Sequence, residues 1–161
     1  MINTVKTQGD NYLVNGSMAV PRADGNKDYE AVKQFIADGG IVEPEFTDAE
    51  LLEQAKASKL QQIEDDYIAS EEQTVEVSGV IYSGGMSSVE AIDSYVRLNR
   101  LAGNTTHNIW DVNGTEHTLT DVEADSVILA IGVQASTNKF TKKNRKVALA
   151  VATTITEVEA I

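Results

Sequence analysis

The chain of 161 residues is acidic, with 25 Asp and Glu against 13 Lys and Arg and a formal net charge of −12. This charge disfavours nucleic acid and anionic membranes as partners, because both attract positive surfaces. The chain has no cysteine, which excludes disulfide and thiolate–zinc frameworks. No apolar run reaches the roughly 18–20 residues of a membrane span. The polar first ten residues predict no signal peptide, so we expect synthesis in a cytoplasm.

The first part of the chain predicts a β-rich attachment module with one short helix. Residues 15–17, Asn-Gly-Ser, separate two short apolar runs and are typical of a hairpin turn. Asp28 is a candidate cap for a helix over residues 29–37, which the glycine pair at 39–40 would end. We therefore predict an N-terminal module over residues 1–42, with a Pro-containing linker after it.

Residues 43–161 predict a helical domain with two inserted hairpins. Two Thr-x-x-Glu capping boxes, Thr47 with Glu50 and Thr120 with Glu123, each predict a long helix. Alternating patterns predict hairpins over 74–82 and 107–119, and a serine at 87 or 88 is expected to begin the helix between them. A β-branched run at 151–155 predicts a break in the C-terminal helix before Glu157. The fold class is therefore α+β.

The C-terminal helix carries an apolar repeat that points to packing between chains. Large or β-branched residues recur every seven positions at Val133, Phe140, Val147, Thr154 and Ile161. Four more apolar residues lie near the same line, namely Val122, Leu129, Val151 and Val158. A sustained heptad favours a helix that packs along one stripe, and copies of the chain are the expected partners.

Several short motifs resemble those of small bacteriophage tail-fibre-type proteins. In the first part they are Val20-Pro21, Asn26-Lys27-Asp28-Tyr29, Phe35 with Gly39-Gly40, and Glu43-Pro44. Further along they are Gly79 to Tyr82, Trp110, Asn113-Gly114 and Leu119-Thr120, which are similar to the domain of unknown function that ends many such proteins. Gly40 and the residues 83–86 depart from the usual pattern and leave the subfamily open.

The resemblance implies a virion structural protein of the phage tail, either a fibre, a fibre adaptor or a baseplate component. It implies other tail proteins as partners, a homo-oligomer with a trimer as one form, location in the virion, and no known catalytic residue. A carbohydrate- or receptor-binding module and a fibre-assembly chaperone are the alternatives. No nucleophile elbow, P-loop, dinucleotide or metalloprotease motif is present, so we expect neither an enzyme nor a cofactor.

The 107–119 hairpin holds the candidate binding residues. A two-residue Asn113-Gly114 turn would place Asp111 opposite Glu116 and Trp110 opposite His117. We expect Trp110 to anchor a core that is poor in aromatic residues. The alternative is an exposed indole that stacks on a sugar ring. The two acids suggest a calcium site, but we expect a solvated hairpin tip, or a slip in the pairing register, and no metal.

The two histidines do not form an obvious pair in this register. We expect both to lie on the strand surface rather than at a metal site.

A basic cluster interrupts the acidic chain. Five of the 13 basic residues lie within eight positions, namely Lys139, Lys142, Lys143, Arg145 and Lys146. We predict that this cluster docks against an acidic surface, such as the region 43–72 of a neighbouring copy, which carries ten acidic residues. The alternatives are a solvated helix face and nucleic-acid binding, which the acidic remainder of the chain disfavours.

Overall fold

The computed structural model describes residues 1–161, which divide into two compact units, Met1–Gln54 and Ala55–Ile161. The sequence placed a boundary at residue 42. In the structure, residues 42 and 43 pair with the first strand, so this segment lies inside the first unit. None of the helices has the length and apolar content that crossing a membrane requires.

The first unit contains a four-stranded sheet and one helix. The elements are β1 (Val5–Gln8), β2 (Asn11–Val14), β3 (Met18–Pro21), α1 (Lys27–Ala37) and β4 (Val42–Glu43), and the sheet order is β3-β2-β1-β4. The strands β1, β2 and β3 form an antiparallel meander, and β4 runs parallel to β1. The predicted turn is confirmed, because Asn15 and Gly16 adopt φ values of 51° and 72° between β2 and β3.

Helix α1 covers the sheet through Val32, which is fully buried with Val5, Val14 and Val20. The predicted helix is confirmed, but its predicted cap is wrong. The side chain of Asn26, rather than that of Asp28, accepts hydrogen bonds from the first backbone N–H groups of the helix. An Asn two residues earlier can reach these groups, whereas Asp28 already lies in the first turn.

The second unit contains most of the helical residues. The elements from the unit boundary onward are α2 (Asp48–Glu71, which begins in the first unit), β5 (Thr74–Val77), β6 (Val80–Ser83), α3 (Gly85–Leu101), β7 (Thr106–Trp110), β8 (Glu116–Thr120), α4 (Asp121–Val151) and α5 (Ile155–Glu159). The strands pair as two antiparallel hairpins, β5 with β6 and β7 with β8. The α+β class is confirmed.

Local capping signals fix where α2, α4 and α5 begin. Thr47 and Glu50 bond each other's backbone N–H groups, and Thr120 and Glu123 do the same at the start of α4. The predicted break is also confirmed, because α4 ends at Val151 and a third capping box, Thr154 with Glu157, begins α5. These helix starts follow from four-residue patterns and need no tertiary contact.

The start of α3 differs from the predicted serine cap. The helix begins at Gly85, and Glu71 at the end of α2 accepts a hydrogen bond from the N–H of Met86 at 2.8 Å. A Cβ atom on Gly84 would lie 1.9 Å from the carbonyl oxygen of Gln73, so only glycine fits there. The close approach of α2, which the local sequence does not reveal, sets this helix start.

The core of the second unit forms between α4, α3 and the two hairpins. Its buried members are Tyr82, Val96, Ile109, Ala124, Val127 and Ile131. Three of the six come from the first half of α4, where they recur at helical spacing along one side. One side of helix α4 therefore packs in the core, and the opposite side remains available for other contacts.

Candidate interaction surfaces

The β7–β8 hairpin carries Trp110 on its outer face. The prediction that Trp110 anchors the core is wrong, since the indole is 54% exposed while Ile109 and His107 on the other face are buried. The predicted register is also wrong by one residue. Trp110 pairs with Glu116, and His117 pairs with Ile109. Successive side chains of a strand point to opposite faces, so His107 and Ile109 share the buried face of β7 and Trp110 lies on the other face.

Asp111 explains the register. Its carboxylate accepts hydrogen bonds from the backbone N–H groups of Asn113 at 2.8 Å and Thr115 at 2.9 Å. Of residues 113 and 114, only Gly114 has a positive φ, 78°, so the two do not form the predicted two-residue turn. Asp111 thus leaves the strand to cap a loop over residues 111–115, and it does not face Glu116.

The same carboxylate also lies 3.3 Å from Nε2 of His117. The hydrogen bond from the Thr115 backbone, followed by those from His117 and the Asn113 backbone, lowers the pKa of Asp111. With these donors around it, Asp111 acts as an internal cap of the loop. The structure contains no group of three or more His, Asp or Glu side chains positioned for a metal ion.

The charged form of Asp111 should contribute to the free energy of unfolding at neutral pH, and this contribution should be lost in acid. Because the folded state lowers the pKa of Asp111, its charged form contributes stability above the unfolded pKa of about 4, and that contribution is lost as the pH falls through the folded value. We expect Asp111→Asn to unfold at lower urea concentration than the parent at pH 7 and at nearly the same concentration at pH 2. Glu116→Gln, at a carboxylate without hydrogen bonds in this loop, is the control. An equal deficit at both pH values would contradict the charge argument.

Trp110 borders a shallow groove of about 340 Å³ lined by side chains of α3 and β7. The hydroxyl oxygen of Tyr95 accepts a hydrogen bond from the backbone N–H of Asn108 at 3.4 Å, which leaves its proton available. The side-chain oxygen of Asn108 accepts from the hydroxyl of Thr118, and its NH₂ group makes no bond within the chain. The groove therefore combines two partly exposed aromatic rings with two free hydrogen-bond donors.

His107 is fully buried, so the expectation that it lies on the strand surface is wrong. Its Nε2 lies 2.8 Å from Oδ1 of Asp121, and Nε of Arg100 donates to the same oxygen at 2.7 Å. These bonds, first from His107 and then from Arg100, lower the pKa of Asp121. No local sequence pattern marks this cluster, which joins α3, β7 and the first turn of α4. His107 and His117 bond different carboxylates and do not form one site.

Much of the basic cluster on α4 is paired within the chain. Lys142 and Lys146 both bond Glu64 of α2, and Arg145 bonds Asp66 at 2.7 Å. Lys142, followed by Lys146, lowers the pKa of Glu64. The predicted acidic surface is thus found on α2 of the same chain.

The remaining two members of the cluster, Lys139 and Lys143, are exposed and make no ion pair. They border an open groove beside Tyr67 with a volume of about 420 Å³. These two lysines are therefore the members of the cluster that remain available to a partner.

A straight apolar stripe runs along the solvent side of α4. Its six members are each more than half exposed, namely Val122, Leu129, Val133, Phe140, Val147 and Val151. At 100° per residue they fall within about 20° of one line on the helix surface, opposite the buried Val127, Ile131 and Leu149. Val158, which the sequence placed near this stripe, is buried instead, because the break after Val151 turns α5 away from the line of α4.

Comparison with known proteins gives no relative, since no family model, no curated protein and no solved structure matches the chain.

Proposed function

We propose that this chain is a structural subunit of a phage tail, as a fibre, fibre adaptor or baseplate component, which assembles with copies of itself and with other tail proteins. The exposed stripe on α4 is the observation that carries the proposal. The motif resemblance supplies the phage context, and the acidic surface suits a protein that must stay dissolved until it assembles.

The size of the stripe supports an association role. Helix α4 has 31 residues and is therefore about 45 Å long, and the stripe extends over nearly all of it. Fully burying a Val, Leu or Phe side chain stabilises by about 1.5–3 kcal/mol, while association costs about 4–15 kcal/mol in lost freedom. Covering six such residues on each copy offsets that cost. Large contiguous apolar patches on soluble proteins mark interaction sites.

Sedimentation velocity on the purified chain tests the association. We expect the weight-average mass to rise with protein concentration over roughly 1–100 μM. Mass spectrometry of purified phage particles tests the location and separates a virion subunit from an assembly chaperone, which would be absent from them. A chain that remains a monomer throughout this range and is missing from particles would overturn the proposal.

Exposure of Trp110 favours a second candidate, a carbohydrate- or receptor-binding module. An exposed indole offers an apolar face to the C–H groups of a pyranose ring. Hydrogen-bond donors on Asn108 and Tyr95 lie where they can meet sugar hydroxyls. The two candidates are compatible, because the stripe on α4 and the groove beside Trp110 are different surfaces.

Trp110 is the only tryptophan, so its fluorescence reports directly on this groove. We expect at least one sugar from a panel of neutral and N-acetylated hexoses to shift the emission, with half-saturation near 1 mM as an order of magnitude. Asn108→Ala keeps the indole and should weaken binding several-fold. If no sugar shifts the emission, and a glycan array shows the same signal for the parent and Trp110→Ala, the second candidate is wrong.

A further inference from the structure

The charges beside the apolar stripe lie almost entirely on one side of it. At 100° per residue, Asp121, Asp125, Lys139, Lys143 and Lys146 fall 60–120° to one side. Their contacts agree with this, since Arg100 binds both aspartates and one groove is lined by all three lysines. The other side is nearly uncharged, with Ser126, Thr137 and Asn144 next to the stripe.

Along the charged side the sign of the charge reverses. The first turns of α4 hold Asp121 and Asp125 on this side, and Arg100 pairs with both. The second half holds Lys139, Lys143 and Lys146 on this side, of which Lys146 pairs with Glu64 while Lys139 and Lys143 make no ion pair. One end of the helix therefore has an acidic excess and the other end a basic excess.

The direction of a partner helix decides whether these charges match. In a parallel pair related by a twofold axis, the charged side of one helix meets the uncharged side of the other. The lysines then face Thr137 and Asn144 and gain no ion pair. In an antiparallel pair the two charged sides meet with their ends reversed, so Asp125 of one copy approaches the lysines of the other. Charge complementarity therefore favours a second copy in the antiparallel direction.

We infer that two copies pair through their α4 helices in antiparallel fashion, centred between Ser136 and Thr137; this inference rests on the proposed function. In this register Val133 meets Phe140 of the other copy, and Val122 meets Val151. Asp125 lies about 3 Å along the axis from Lys146, which also pairs with Glu64, and about 8 Å along the axis from the unpaired Lys143. A threefold arrangement of parallel α4 helices, which a trimer would require, gains none of these ion pairs.

Single cysteines test the direction, since the chain contains none of its own. Ser126, Ser136 and Asn144 are exposed, lie beside the stripe and are suited to substitution. In the antiparallel register, residue 136 lies near residue 136 of the other copy, and residue 126 lies about 5 Å along the axis from residue 144 of the other copy. Two residues 126, in contrast, lie about 32 Å apart along the axis.

Under mild oxidation we expect Ser136→Cys to form disulfide dimers. Ser126→Cys alone and Asn144→Cys alone should remain monomeric on a non-reducing gel. A mixture of these two should give a dimer whose intact mass shows one chain of each kind. Self-cross-linking of Ser126→Cys would show parallel pairing and overturn the inference. So would a mixture that stays monomeric while Ser136→Cys dimerises. Failure of Ser136→Cys to dimerise, in a chain that also sediments as a monomer, would overturn the proposed function itself.

Discussion

The variant Ile131→Ala is expected to lower the free energy of unfolding by about 2–5 kcal/mol, because truncating a buried aliphatic side chain removes its burial and leaves a cavity. Ile131 is fully buried in the core between α4, α3 and the hairpins. Val133→Ala, two residues further along the same helix, is the matched control. Its side chain is 58% exposed, so the change should be within about 0.5 kcal/mol of zero.

Urea denaturation followed by circular dichroism measures both variants. The measurements should be made at a protein concentration where the parent is monomeric, since covering Val133 in an assembly would add to its apparent contribution. Equal losses for the two variants would mean that α4 does not present one side to the core and the other to solvent, and would contradict the arrangement described above.

Phe140→Glu should weaken self-association by about 100-fold or more. Phe140 lies in the middle of the stripe and is 63% exposed within one copy. Burying a Phe contributes about 1.5–3 kcal/mol, each pair of copies loses two such side chains, and two buried carboxylates would add a further cost. Since 1.4 kcal/mol corresponds to a factor of ten in affinity, the combined loss reaches 100-fold or more.

Sedimentation velocity of the parent and the variant at matched concentrations provides the measurement. Thr141→Glu, which adds the same charge to an exposed position off the stripe, is the control and should associate like the parent. The thermal unfolding of Phe140→Glu at low concentration should resemble that of the parent, because Phe140 takes no part in the core. A variant that assembles normally would show that the stripe is not the contact surface.

The starts of α2 and α4 and the end of α4 were predictable because their signals are local. The boxes at Thr47 and Thr120 place a hydroxyl and a carboxylate within four residues, and both form as predicted. The break after Val151 follows from a run of β-branched residues. The cap at Gly84 was not predictable in this way, because it depends on the approach of the Gln73 carbonyl from the end of α2.

The candidate site was harder to predict because single side chains decide it. The Asn113-Gly114 pair suggested a two-residue turn, but the Asp111 carboxylate caps a longer loop and moves the register by one. In the observed register Leu119 pairs with His107 on the buried face, and Trp110 lies on the opposite, exposed face. The position of His107 follows from the same register, since it shares the inner face with Ile109. Sequence alone does not show whether the Asn113-Gly114 turn or the hydrogen bonds of Asp111 will set the register.

For the basic cluster, the sequence indicates the kind of partner but not its location. Its charge asymmetry suggested an acidic counterpart, but the sequence could not say whether this lay on the same chain or on a neighbour. The structure pairs three of the five residues with Glu64 and Asp66 of α2. Only tertiary packing brings α2 alongside α4 and makes that choice.

The outer strands of the N-terminal sheet bear on how the chain behaves when it is concentrated. Strand β4 has only two residues, and the Glu45 carboxylate accepts the N–H of Gly9 just beyond β1. On the opposite border, β3 ends in Pro21, which has no N–H to offer. Short edge strands and proline at an edge hinder the edge-to-edge pairing of strands from different molecules that leads to fibrils. The first unit should therefore withstand concentrated stocks without gelling.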